Sequence, residues 1–128
     1  MLEAERLAKW LASTAWSSPA VQQIMSSPAT RCTQTVAPLA AALDLTVIVT
    51  GDLLEGQPVA GSLGLIRRLA ASDTHAVLCT HGDIIPNLLD ELAEAGVPLH
   101  GNGCSKGSIW TLSTADGAIT GARYTAHP

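Results

Sequence analysis

The sequence lacks any apolar run approaching the roughly twenty residues that a membrane-spanning helix requires. It also lacks an N-terminal basic segment leading into an apolar one, the mark of a secretory leader, so a cytoplasmic location is the expectation. Its seven lysines and arginines are scattered, and the net charge is −4, which excludes the basic footprint of a nucleic-acid or anionic-membrane binder. Cysteines 32, 79 and 104 are odd in number and widely spaced, without a Cys-x-x-Cys pair or a histidine at ligand spacing, so neither a disulfide framework nor a metal site is expected. Internal repeats, low-complexity segments and composition breaks are missing too, and 128 residues predict one domain.

What is present is an alternation of helical and strand patterns. Leu7, Leu11 and the alanines at 4, 8, 12 and 15 predict an amphipathic helix over about 2–14. It has no Ser, Thr, Asp or Asn ahead of it, so the chain is expected to begin inside an element. Val21 to Met25 reads as a short strand, followed by a helix carrying Cys32, Val36, Leu39, Ala40 and Leu43 on one face. Pro38 within that pattern predicts a kink or two abutting helices. Leu45 to Val49 is β-branched-rich, and a loop punctuated by Gly51, Gly56, Pro58 and Gly61 follows. Ser62 is expected to cap a helix with Leu63, Ile66, Leu69 and Ala70 inward. Ala76 to Thr80 reads as a strand buried on both faces. Asp83 is expected to start a helix with Ile84, Ile85, Leu88, Leu89 and Leu92 on its stripe, ending near Gly96-Val97-Pro98. Asp116-Gly117 between Ser108–Thr114 and Ala118–Tyr124 is a two-residue hairpin signal. The predicted fold is a three-layer α/β sandwich with a mostly parallel sheet and a C-terminal antiparallel hairpin at one edge, its first central strand absent.

In open α/β sheets ligands bind where strands end and helices begin, and two such turns carry polar side chains. In Ser26-Ser27-Pro28-Ala29-Thr30-Arg31-Cys32, Ser27 suits a helix cap, Pro28 the first helical position, and Arg31 the opening turn. Amides, dipole and guanidinium would attract an anion there. A capped helix with a surface arginine satisfies the same pattern. In Thr80-His81-Gly82-Asp83 a titratable imidazole follows the apolar strand beside a glycine that permits close backbone approach. This arrangement suits an oxyanion or phosphoryl site, with a structural histidine as the alternative.

SSPATRCTQT followed some fifty residues later by VLCTHGD, with Leu53-Leu54-Glu55-Gly56 between them, resembles the signature segments of the histidine phosphatase superfamily, the phosphoglycerate-mutase-like group. CSKGSIWTL at 104–112 is similar to the last strand region of compact actinobacterial members, including those that follow Nudix hydrolase domains. The resemblance implies that Arg31 and His81 hold the oxygens of a phosphoryl group, with Gly82 beside them, and that Glu55 protonates the leaving oxygen. An exposed loop glutamate is the other reading of Glu55. It implies no metal and no cofactor, and a small phosphorylated substrate: phosphohistidine, a nucleotide or a sugar phosphate. It also implies an Arg-His-Gly segment on a first central strand, whose histidine becomes transiently phosphorylated. No Arg-His-Gly occurs in this sequence, and His75, His100 and His127 do not stand where that nucleophile would.

Three functional readings follow. The first is a phosphohydrolase domain, residues 1–128, N-terminally incomplete and inactive or very weak alone. The second is a phosphate-binding pseudo-enzyme or interaction module. The third is a cysteine or serine hydrolase using Cys32 near His81, for which no orienting acid or oxyanion arrangement is visible. An absent central strand predicts marginal stability, or a homodimer formed by pairing exposed strand edges.

Overall fold

The computed structural model describes residues 21–126; the expected helix over 2–14 and His127 lie outside them. Strands β1 (Gln23–Ser26), β2 (Val47–Val49) and β3 (Ala76–Cys79) form a parallel sheet in the order β2-β1-β3. Helix α1 (Thr30–Leu43) joins β1 to β2, α2 (Val59–Ala71) lies between β2 and β3, and α3 (Ile84–Glu94) follows β3. Side chains alternate across a strand, and β1 uses both faces. Ile24 packs with Val36, Leu39 and Ala40 of α1, whereas Met25 packs with Leu53 and with Leu65 of α2. Helices therefore cover opposite faces of β1, the layering expected from the alternating pattern.

The hairpin forms where Asp116-Gly117 predicts it. β5 (Ile109–Ala115) pairs antiparallel with β6 (Ala118–Thr125). Asp116 and Gly117 both take positive φ, 53° and 79°, which a two-residue turn with the twist of its strands requires. The hairpin does not extend the first sheet at an edge. Together with β4 (Leu99–His100), which pairs parallel with β6, it makes a second sheet in the order β4-β6-β5. Among the described residues, β3 is paired on one side only, as is β5.

Several local expectations are corrected. α1 runs as one helix through Pro38, the buried stripe of Cys32, Val36, Leu39 and Ala40 outweighing one lost backbone bond. α2 begins at Val59 behind Pro58, whose φ of −59° already suits a helix start. Ser62 is therefore interior rather than a cap, and its hydroxyl donates to the Val59 carbonyl at 3.1 Å. β3 is half-buried along its length rather than fully buried, with Val77 and Cys79 packed on the cluster at one face and Leu78 on the cluster at the other. On α3 the stripe is as expected, with Ile84, Leu88, Leu89 and Leu92 buried.

Candidate active site

Parallel pairing sets the site. Register Ser26↔Cys79 ends β1 and β3 at the same level, and the Ser27 amide continues the ladder to the Cys79 carbonyl at 3.0 Å. On the other side, the Thr50 amide donates to the Ser26 carbonyl at 3.0 Å, which brings in the loop after β2. Three strand ends thus deliver Ser27 and Arg31, Glu55, and His81 to one place.

The two polar turns meet directly. Arg31 Nη2 lies 3.0 Å from His81 Nδ1 and 3.0 Å from Glu55 Oε2, so one guanidinium nitrogen is shared by the imidazole and the carboxylate. His81 is buried, 5% exposed, while the Arg31 and Glu55 side chains are mostly in solvent. At that exposure the ion pair adds little stability and can be exchanged for another anion. Among the described residues nothing lies within 4 Å of a side chain placed on Gly82.

The loop bearing Glu55 is tied down twice. Thr80 donates its hydroxyl to the Leu53 carbonyl at 2.6 Å, and the Gly56 amide donates to Asp83 Oδ2 at 2.8 Å. Asp83 stands immediately ahead of α3, as expected, but its carboxylate makes no capping bond and is turned to the neighbouring loop. Ser27 is likewise not a helix cap, since α1 starts at Thr30 behind Ala29. Its hydroxyl accepts from the Ala29 amide at 3.2 Å and lies 2.8 Å from His81 Nε2. These roles of Ser27, Thr80 and Asp83 are absent from the sequence reading. A polar residue at a strand end satisfies a capping pattern and a long-range pairing equally well, and only the register distinguishes them.

Cys32 is buried, with Sγ 3.8 Å from His81 Nε2 and 3.7 Å from the Thr80 carbonyl. A cysteine hydrolase needs a carboxylate or amide to orient the histidine; among the described residues, the group on His81 Nδ1 is the Arg31 guanidinium. Burial first, then the adjacent Cys32 thiol, pushes Cys79 up to about 12. That thiol stays protonated at neutral pH and supplies no nucleophile. Among the described residues no cluster of His, Cys, Asp or Glu is arranged to hold a metal, and no helix is long and apolar enough to cross a membrane.

A buried imidazole and a solvent-exposed guanidinium meet at the ends of parallel strands, where α/β proteins bind their ligands. The family profile "Histidine phosphatase superfamily (branch 1)" matches residues 1–58. The 8-oxo-(d)GTP phosphatase of Mycolicibacterium smegmatis (strain ATCC 700084 / mc(2)155) is 37% identical over 102 residues, covering 77% of this chain and 32% of that protein. The chain belongs to the histidine phosphatase superfamily. It spans about a third of the length of that relative.

Proposed function

We propose that this chain carries the phosphoryl-binding half of a phosphohydrolase site for a small phosphorylated molecule. The observation supporting it is the meeting of Arg31, His81 and Glu55 at the C-terminal ends of parallel strands. In this reading Arg31 exchanges the Glu55 carboxylate for a phosphoryl oxygen, His81 contacts a second oxygen, and Gly82 leaves the approach clear. The released Glu55 is placed to protonate the leaving oxygen. Fixed charges suit this chemistry because the transition state spreads negative charge over the equatorial oxygens. The name of the relative, an 8-oxo-(d)GTP phosphatase, makes nucleotides the substrate class to test first.

Turnover through phosphohistidine needs an attacking histidine, and the sequence holds no Arg-His-Gly. This chain by itself is therefore proposed to bind phosphate without appreciable hydrolysis. A non-catalytic phosphate-binding module is the second reading, favoured by the same pairing of an intact Arg31–His81 site with a missing Arg-His-Gly. The test is metal-free hydrolysis of p-nitrophenyl phosphate by this chain and by a form carrying an added N-terminal Arg-His-Gly strand segment. Turnover by the extended form alone, lost in His81→Ala, supports the phosphohydrolase. Phosphate binding with no turnover by either form favours the module.

The sides of β3 and β5 that carry no partner among the described residues support a homodimer joined by strand pairing. Its expected signature is a sedimentation coefficient that rises with protein concentration; a concentration-independent monomer overturns it. A cytoplasmic location, with no nucleic-acid partner, remains part of the proposal.

A further inference from the structure

We propose that Asp83 is a positioning residue for Glu55: its carboxylate fixes the turn from which Glu55 reaches Arg31, and so sets how strongly Glu55 competes with an incoming anion. This deepens the phosphate-site reading and rests on it for its purpose, though the positioning itself is measurable without any ligand.

Glu55 stands on a turn over residues 54–57, closed by the Gln57 amide donating to the Leu54 carbonyl at 3.3 Å. Gly56, the third residue of that turn, takes φ 81°, the left-handed value that a type II turn requires at this position. The closing bond uses the first carbonyl and the last amide, so the Gly56 amide at the centre points out of the turn and needs an acceptor elsewhere. Asp83 Oδ2 supplies it at 2.8 Å. The carboxylate is available because it makes no capping bond to α3.

The two ends of the segment are held differently. Leu53 is 1% exposed and packs with Met25 and Leu65, so its end is fixed by burial as well as by the Thr80 hydroxyl on its carbonyl. Glu55, Gly56, Gln57 and Pro58 are exposed, and no packing replaces the Asp83 bond there. Leu53 with Thr80 and Gly56 with Asp83 each span 27 positions of sequence. Glu55 lies between the first pair of anchors and His81 between the second. The turn bearing His81 therefore clamps the turn bearing Glu55 at both ends.

The clamp has a consequence opposite in sign to that of an ordinary structural contact. In the free protein Glu55 Oε2 lies 3.0 Å from Arg31 Nη2, on the guanidinium that a phosphoryl oxygen would use. A carboxylate whose backbone is already fixed loses less freedom on pairing, and so competes better. Without the acceptor the central peptide can turn over, because glycine takes either sign of φ at little cost. Glu55 then starts from no fixed origin, its hold on Arg31 weakens, and the anion binds more tightly. The same loosening costs the bound state the placement of Glu55 beside the leaving oxygen.

The experiment is calorimetric titration with inorganic phosphate at constant low ionic strength, on the wild type, Asp83→Ala, Asp83→Asn, Glu55→Ala and the double variant Asp83→Ala/Glu55→Ala. Asp83, Glu55 and Gly56 are exposed, so all are expected to fold. Glu55→Ala is expected to raise phosphate affinity about twofold to fivefold, the range for losing one exposed ion pair. Asp83→Ala is expected to give part of that rise. Asp83→Asn keeps an oxygen for the Gly56 amide without the charge, and is expected to bind as the wild type does. With Glu55 already alanine, Asp83→Ala is expected to change nothing, since it acts through Glu55. An unchanged or weakened affinity in Asp83→Ala overturns the proposal. So does an equal rise in Asp83→Asn, which would assign the effect to charge, or a rise that persists without Glu55. If the wild type binds no phosphate, the anion-site reading fails, and the positioning is judged from NMR of the free proteins. There the Glu55 side-chain carboxyl signal is expected to shift in Asp83→Ala together with the Gly56 amide, and to stay in place in Asp83→Asn. A Glu55 signal indifferent to Asp83→Ala overturns the positioning role.

Discussion

Replacing Arg31 with alanine removes most of the rise in melting temperature that inorganic phosphate or vanadate produces in the wild type. Arg31 supplies the only guanidinium that the described residues place on His81, and a hydrogen bond between charged groups is worth about 1.5–3 kcal/mol. That corresponds to roughly a ten- to hundredfold loss of affinity. A ligand that binds only the folded state stabilises by about RT ln(1 + [L]/Kd), so a concentration saturating for the wild type becomes marginal for the variant. Without anion, the variant is expected to melt close to the wild type, because the Arg31–Glu55 pair is solvent-exposed and such pairs contribute about 0–1 kcal/mol. Thermal melts at constant ionic strength separate the specific effect from screening. An unchanged phosphate response in Arg31→Ala would remove the phosphoryl-binding reading.

The largest expected loss of stability comes from Ile24→Ala. Ile24 is wholly buried in the central strand of the first sheet, paired with Val47 on one side and Val77 on the other. It packs among Val21, Val36, Leu39 and Ala40. Removing such a side chain costs about 2–5 kcal/mol, since the surrounding groups close only part of the cavity. Against a net stability of about 5–15 kcal/mol for a typical domain, that is a substantial share of the total. Urea unfolding followed by circular dichroism reads it as a lower midpoint. Ile48→Ala is the comparison: Ile48 lies on the edge strand β2 and is 43% exposed, so its loss is expected to cost under about 1 kcal/mol. Equal losses at the two positions would contradict the arrangement of β1 between β2 and β3.

The sequence by itself determined what depends on neighbours along the chain. The apolar stripe of α3 follows from a period of 3.6 residues. The hairpin follows from Asp116-Gly117, because few residue pairs accept positive φ at two successive positions. The polar turns at 26–32 and 80–83 mark strand ends, and their order and spacing carried the resemblance to the histidine phosphatases. Only the tertiary structure decided who meets whom. Ser27 reaches His81 across 54 positions of sequence, Arg31 reaches it across 50, and Asp83 holds the Gly56 amide across 27. Each of these contacts is created by the parallel register of β1 with β3 or by the loop after β2, and a register leaves no local periodicity to read. The same reason explains Ser27, Ser62 and Asp83. A small polar residue ahead of an apolar stripe has the pattern of a helix cap, but the donors and acceptors it finally serves are brought to it by strands that pair far away in the chain.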